Sequence, residues 1–256
     1  MPAQEHAETP KGRFLGRGRS ASVYLQDRGG KAVATKIFTG ERLSRIVLLI
    51  LTGSENPYNW CQSAVACAAA RRRILSNLTA LWFGEKLGIA QGFDYRWSSK
   101  DRAYELDTEY VLGIHTPLKN PLEHPAPDMI RELRRDIMNP LQEKLIESGM
   151  DGLVWQAGKG NPVAASNFMV VFPKQGLHRW IWIDIESGLP ALFGMNPLAT
   201  LTYYLPRSWK FRNWLFDDID IPRLVAYLSE NKLGFHECVF EPVSYTHLTL
   251  PTTSRV

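Results

Sequence analysis

The sequence is poor in cysteine. Cys61, Cys67 and Cys238 are the only three in 256 residues, with no CxxC pair and no histidine cluster at metal-ligand spacing. An odd, scattered set excludes a disulfide framework and a thiolate metal site, and points to a reducing, cytoplasmic environment. Long apolar runs are also missing. Runs such as Ile46 to Leu51 are far too short to span a bilayer, and the N-terminal MPAQEHAETPKGR lacks the apolar stretch of a signal peptide. Charge is not concentrated either: the net value is +4 and the basic residues are dispersed, which argues against nucleic acid as a partner. No internal repeat is present. What the chain does have is 45% hydrophobic residues over its 256 positions, enough for a sizeable core in one large domain or two lobes.

Arg13 to Leu25 reads as strand, glycine turn, strand, and Lys31 to Phe38 as a third strand, because Val, Ile and Phe alternate with small or polar residues. Glu41 to Leu51 and Gln62 to Lys86 are expected to be helical. In the second of these, Val65, Ala69, Ile74, Leu78, Leu81 and Trp82 recur at helical spacing, with Arg71, Arg72 and Arg73 partly off that face. Strands Phe93 to Ser98 and Ala103 to Leu112 flank the turn-forming SSKD. The proline-rich stretch Thr116 to Pro127 then marks a lobe boundary or hinge. Asp128 is placed to cap a helix over Met129 to Glu147, which Pro140 is expected to kink. Three short apolar strands follow, Gly152 to Gln156, Phe168 to Phe172 and Trp180 to Ile185. Leu192 to Leu233 reads as helical around YYLPRSWKFRNW. There Arg207, Lys210 and Arg212 lie among aromatics, and a packed helix pair with a basic outer face is preferred to contact with a membrane or nucleic acid. From Ser244 the sequence SYTHLTLPTTSRV has no acid and four threonines. It resembles a translated adapter tail, so the natural chain is expected to continue differently beyond about Pro242.

Gly16-Arg17-Gly18-Arg19-Ser20-Ala21-Ser22-Val23 lies between two strands, where glycines let backbone N–H groups approach phosphates; a plain hairpin turn is the competing account. Val33-Ala34-Thr35-Lys36 on the next strand adds weight, because a strand lysine facing a glycine flap can reach α and β phosphates. Further on, Asn167 opens one strand and Asp184 ends another before a turn. An amide oxygen and a carboxylate from adjacent strands suit Mg²⁺, which takes hard oxygen ligands. A P-loop is excluded at Gly158-Lys159-Gly160, since Gly152 is one residue too far away and no Ser or Thr follows the lysine.

In this order the features resemble the protein-kinase-like superfamily, including its bacterial small-molecule and lipopolysaccharide kinases, over roughly Arg13 to Pro190. The resemblance implies a two-lobed α+β fold, with a β-rich N-lobe over 12–114, a mainly helical and incomplete C-lobe over 115–242, and a non-native tail over 243–256. It implies ATP and Mg²⁺ as cofactors. Gly16, Gly18, Ala21 and Val23 would form the flap over the nucleotide and Lys36 would hold its phosphates. Glu109 to Gly113 would meet adenine, with Glu109 and Val111 as the contacts. Asn167 and Asp184 would hold metal, Asp184 within Asp-Ile-Glu in place of Asp-Phe-Gly.

The chain also departs from that pattern. The catalytic aspartate belongs five residues before the metal asparagine, and Pro162 stands there. The nearest polar candidates are Asn161 and Lys159, neither an ordinary carboxylate base; Lys159 is the candidate for steadying the transferring phosphoryl group. The acid that should pair with Lys36 is unassigned, since the long helix has none before Glu85. Glu55 lies ahead of that helix and neither is chosen; Glu186, two residues after Asp184, is a third possible acid near the metal, with an exposed turn residue as the competing account. The expected function is ATP- and Mg²⁺-dependent phosphotransfer to a protein, lipid, sugar or antibiotic acceptor. The alternative is a pseudokinase that binds nucleotide or a partner without chemistry. A third account, an α+β interaction domain with a coincidental motif set, requires Lys36 and Asp184 to lie far apart.

Overall fold

The computed structural model describes residues 12–18, 20–39, 46, 49, 56–116, 127–161, 163–174, 177–186, 197–206, 209 and 219–231. Five antiparallel strands form the first sheet: β1 (Arg13–Arg17), β2 (Ser22–Arg28), β3 (Lys31–Ile37), β5 (Gly92–Ser98) and β6 (Ala103–Glu109), in the order β1-β2-β3-β6-β5. The β2–β3 hairpin turns on Gly29 and Gly30, both at positive φ (64° and 84°), and the Gly30 N–H donates to Asp27 Oδ1 at 2.8 Å. Two left-handed residues make the tight turn whose twist matches its strands, and this pins the register. Val23 lies opposite Lys36, and Lys36 opposite Leu106. Lys36 therefore shares the inner face of the sheet with Leu106, which is buried against the following helix.

That helix is α2 (Gln62–Phe83), preceded by the short α1 (Pro57–Trp60), which Asn56 caps by accepting from the Tyr58 N–H. Its N-terminal half packs Ala64, Val65 and Ala68 under the first sheet, and its C-terminal half packs Ile74, Leu75 and Leu78 into a second, larger core. Arg71 and Arg72 were expected partly off the apolar face. Both are buried, and only Arg73 of the three is exposed. The helix stops at Gly84 (φ 58°) rather than Lys86, and a 3₁₀ turn leads into β4 (Leu87–Ile89). Three residues carry no readable alternation, which is why β4 is silent in the sequence.

The second sheet has the order β4-β9-β8-β7, with β7 (Ile114–His115), β8 (Phe168–Lys174) and β9 (Leu177–Trp182); β4 pairs parallel to β9 and the rest are antiparallel. Its core-facing Phe168, Val170, Trp180 and Trp182 pack on a helical layer. That layer is α3 (Pro127–Glu132), a π-helical run Leu133–Met138 and α4 (Asn139–Glu147). Asp128 sits inside the first turn of α3 rather than capping it. Pro140 ends no helix: it lies in the first turn of α4, just after the π-helical run, where its missing N–H is tolerated.

The expected strand Gly152 to Gln156 is absent. Asp151–Leu153 is a 3₁₀ turn and further turns follow, with the Leu153 N–H donating to Met150 O (3.0 Å) and the Gln156 N–H to Leu153 O (3.0 Å). Leu153 and Val154 are both fully buried, a pattern that turns can produce and a one-faced strand cannot. Strand β9 also ends at Trp182, short of the expected Ile185. From the stretch expected to be helical over 192–233, α5 (Pro197–Ala199), a π-helical turn Thr200–Tyr204 and α6 (Ile221–Glu230) are described. Arg19, most of 41–51, the proline-rich 117–126, Pro162, Ser187 with Gly188, the basic Arg207, Lys210 and Arg212, and the tail 243–256 lie outside the described residues. Among the described residues no helix is long and apolar enough to cross a membrane. A glycine-roofed sheet, its lysine strand, a connecting segment and a helical part with Asn167 and Asp184 stand in the order that the motifs imply, in a two-lobed, kinase-like α+β fold; β4 and the C-terminal half of α2, from within 12–114, join the second sheet and its core.

One glycine is fixed by geometry. Gly149 (φ 79°) follows α4, its N–H donating to Ile146 O (3.3 Å) while the Met150 N–H donates to Leu145 O (2.8 Å), a closed helix C-terminus. A Cβ there would lie 2.7 Å from Asp220 O. Gly149→Ala is expected to destabilise the protein by roughly 1–3 kcal/mol in urea unfolding.

Candidate functional site

Between the two sheets lies a cleft of about 560 Å³, within the range of small-molecule sites. Gly16, Gly18, Ala21 and Val23 line its roof, Lys36 its back, Glu109 and Val111 the connecting segment, and Asn167 and Asp184 its far end. Nine of the eleven candidate residues thus share one wall system. The roof closes on itself where the Gly18 N–H donates to Ala21 O (2.8 Å). A Cβ at Gly16 would meet no atom within 4 Å, so packing does not demand glycine there; a bare position leaves the roof open to something in the cleft. Apolar Leu15, Ala34, Met169 and Ile183 complete the walls with Thr108, whose hydroxyl donates to Ala34 O at 3.0 Å.

The charged groups form a buried cluster. Lys36 Nζ donates to Asp184 Oδ1 (2.8 Å), Glu186 Oε2 (2.7 Å) and Ile183 O (3.1 Å). Glu186 is held on its other side by Arg72, whose Nε reaches Oε1 at 2.8 Å and whose Nη2 reaches Oε2 at 2.9 Å. The rest of the Arg72 guanidinium donates to Ala90 O (2.7 Å) and Ile183 O (3.0 Å). Arg72 is 0% exposed and Glu186 2%, whereas the Asp184 side chain is 42% exposed. Two cations thus match two anions where an unpaired charge would be costly. Burial alone would raise the Glu186 carboxyl, but the Arg72 guanidinium and then the Lys36 ammonium outweigh it and hold the group well below the usual carboxylate range. The acid partner of Lys36 is therefore Glu186, not an acid of α2. The helix contributes an arginine instead.

Asn167 is set by Gln156. Its Nδ2 donates to Gln156 O (2.9 Å) and Oε1 (3.2 Å), while Gln156 Nε2 donates to Glu186 O (2.9 Å). With its nitrogen committed, the Asn167 amide oxygen is left for the cleft. Asp184 gives Lys36 one oxygen and keeps a second. An amide oxygen and a half-exposed carboxylate suit Mg²⁺ completed by water and phosphate oxygens.

Lys159 and Asn161 do not line this cleft. Lys159 Nζ sits over the Tyr203 ring, 4.9 Å from its centroid, and its carbonyl accepts from the Tyr204 hydroxyl. Asn161 spends its amide on the loop, donating to Trp155 O (3.3 Å) and accepting from the Val163 N–H (3.3 Å).

Arg72 and Gln156 are the residues that motif reasoning misses. A signal for the first exists: Val65, Ala68, Arg72 and Leu75 fall at helical spacing on one stripe, and an arginine on a buried stripe requires an acid. Gln156 carries no such mark.

No protein-family model and no curated protein matches the chain. Among solved structures it is similar to a double mutant of the Mycobacterium tuberculosis PknI kinase domain, at 18% identity and a TM-score of 0.34, over 68% of this chain and 59% of that one. A single mutant of the same domain is similar at 16% identity and the same TM-score, over 68% and 57%. WaaP in complex with acyl carrier protein is similar at 11% identity and a TM-score of 0.28, over 90% of each chain. The chain thus spans less than two thirds of the PknI kinase domain. Similarity at these TM-scores adds no argument; strand order and the cleft themselves make the fold protein-kinase-like.

Proposed function

We propose that the protein is an ATP- and Mg²⁺-dependent phosphotransferase acting on a protein, lipid or small-molecule acceptor. The observation that carries this is the 2.8 Å bond between Lys36 and Asp184 inside a glycine-roofed cleft. It removes the separation that a coincidental motif set requires. In this proposal the base lies between Leu15, Val23 and Ala34 above and Met169 and Ile183 below, with the backbone of Glu109 and Val111 at its edge. Lys36 orients the phosphates, and Asn167 and Asp184 hold the metal. Bound Mg²⁺ would neutralise charge on the phosphate oxygens. Phosphoryl transfer rests on positioning and electrostatics more than on a strong base, so Pro162 in the aspartate's place is compatible with slow transfer. Lys159 and Asn161, away from the cleft, take no part in the proposal. The same proline favours a second account, a pseudokinase that binds nucleotide without transferring phosphate.

Nucleotide binding is tested by thermal unfolding. A ligand at a hundredfold excess over Kd stabilises by about 2.7 kcal/mol, so Mg-ATP is expected to raise Tm by roughly 5–10 °C. ATP without Mg²⁺ should give a smaller shift, and Asp184→Ala should abolish the Mg²⁺-dependent part. No shift from a cooperatively melting protein would overturn both nucleotide accounts. Release of ADP by the wild type would separate the kinase from the pseudokinase.

A further inference from the structure

Helix α2 passes from one core to the other. Ala64, Val65 and Ala68 belong to the cluster under the first sheet, Ile74, Leu75 and Leu78 to the one beneath the second, and Arg72 stands between the two sets. At that crossing its guanidinium binds two separate pieces of chain: Ala90 O in the β4–β5 corner, and the segment after β9, through Ile183 O and both oxygens of Glu186. Its stem is confined too, because a Cβ on Gly92 would lie 3.3 Å from Arg72 Cδ and 3.5 Å from Ala69 Cα. Glu186 has no freedom of its own. Each of its oxygens accepts from Arg72, and Oε2 also accepts from Lys36. Lys36 and Arg72 further share the Ile183 carbonyl, at 3.1 Å and 3.0 Å.

From this geometry, and resting on the nucleotide-binding proposal above, we infer that Arg72 is the positioning residue of the cleft: through Glu186 it ties the attitude of helix α2 to the placement of Lys36 and the Asp184 strand. The polarity of the link is inverted. The acid that steadies the phosphate lysine comes from the segment after β9, and the helix supplies the cation that steadies the acid. When metal and nucleotide draw Asp184 away from Lys36, the Glu186–Arg72 pair still holds the lysine in place, since its bonds do not pass through Asp184. Without Arg72, Glu186 loses the contact that orients it, and Lys36 keeps only Asp184 and the Ile183 carbonyl as fixed partners.

A structural role alone would weaken every ligand equally, whereas positioning of Lys36 acts on phosphates and spares the base. Calorimetric titration of the full chain with Mg-ATP and separately with adenosine distinguishes the two. In Arg72→Met/Glu186→Met, which removes both charges together and leaves none stranded, Mg-ATP affinity is expected to fall about tenfold or more while adenosine affinity stays within about twofold. Arg72→Lys keeps the charge but loses the two-pronged contact, and should lie between wild type and the paired variant for Mg-ATP alone; it provides the answer if the paired variant does not fold. Parallel losses for Mg-ATP and adenosine, or Mg-ATP affinity within about twofold of wild type in both variants, overturn the inference. A wild-type protein that binds neither ligand overturns the nucleotide-binding proposal, and the inference with it.

Discussion

Glu186→Ala is expected to destabilise the protein by about 3–5 kcal/mol, the cost of stranding buried charge. The side chain is 1% exposed and lies within 2.9 Å of both cations, so its removal leaves Arg72 at 0% and Lys36 at 9% side-chain exposure without their shared acid. Asp184 can compensate Lys36 in part, but among the described residues Arg72 has no second acid. Urea unfolding at neutral pH measures the loss. The paired variant Arg72→Met/Glu186→Met should lose much less, because both desolvated charges disappear together; an equal loss would show that packing, not charge, dominates there. Acid unfolding tests the same cluster independently. The folded-state pKa of Glu186 is depressed below its ordinary value of 4.5, as the two cations prevail over burial. The unfolded state therefore binds a proton more readily than the folded state as pH falls. The contribution of Glu186 is complete above the ordinary carboxylate range and is lost progressively below about pH 4.5, toward the folded-state value. Between pH 7 and pH 3 the wild type should lose stability with a slope that Glu186→Gln lacks.

The parts of this site that were legible in the sequence depend on short-range pattern. Strand alternation from Lys31 to Phe38 sets which face Lys36 takes, and Asn167 lies just before β8 and Asp184 just beyond β9. The Arg72–Glu186 pair joins residues 114 positions apart. No local rule links them, so in the sequence Glu186 reads as an acid near the metal or an exposed turn residue, and its burial between two cations is not visible there. Residues 152–156, expected as a strand, differ for another reason. An apolar Leu153-Val154 pair suits a buried strand and a buried turn equally, and the deciding factor is which hydrogen-bond partners the rest of the fold leaves to it: here Met150 O and Asp151 O, both local. Gln156 reaches Asn167 and Glu186 only because those turns carry it there.

Trp182→Ala is expected to combine a large stability loss with a specific loss at the proposed metal-binding end of the cleft. Trp182 is fully buried, lies opposite Phe168 in the β8–β9 ladder and stacks on it, with centroids 5.7 Å apart and planes 10° from parallel. The next residues outward are Asn167 and Ile183, joined by the Ile183 N–H donating to Asn167 O at 2.8 Å, and Asp184 follows. The stacked pair is thus the footing on which both proposed metal ligands stand. Removing the indole leaves a cavity that should cost about 3–5 kcal/mol, read as a lower urea midpoint with an unchanged m-value. Trp182→Phe should cost less: it gives up volume, but it also removes an indole N–H that has no partner among the described residues. Leu141→Ala is the control. Leu141 is equally buried in the same core but belongs to α4, so about 2–5 kcal/mol should be lost there too, while the Mg²⁺-dependent part of the ATP shift survives. In Trp182→Ala that part should shrink beyond what its stability loss explains, because a bond of 2.8 Å between two strands holds its register only while the ladder beneath it is packed.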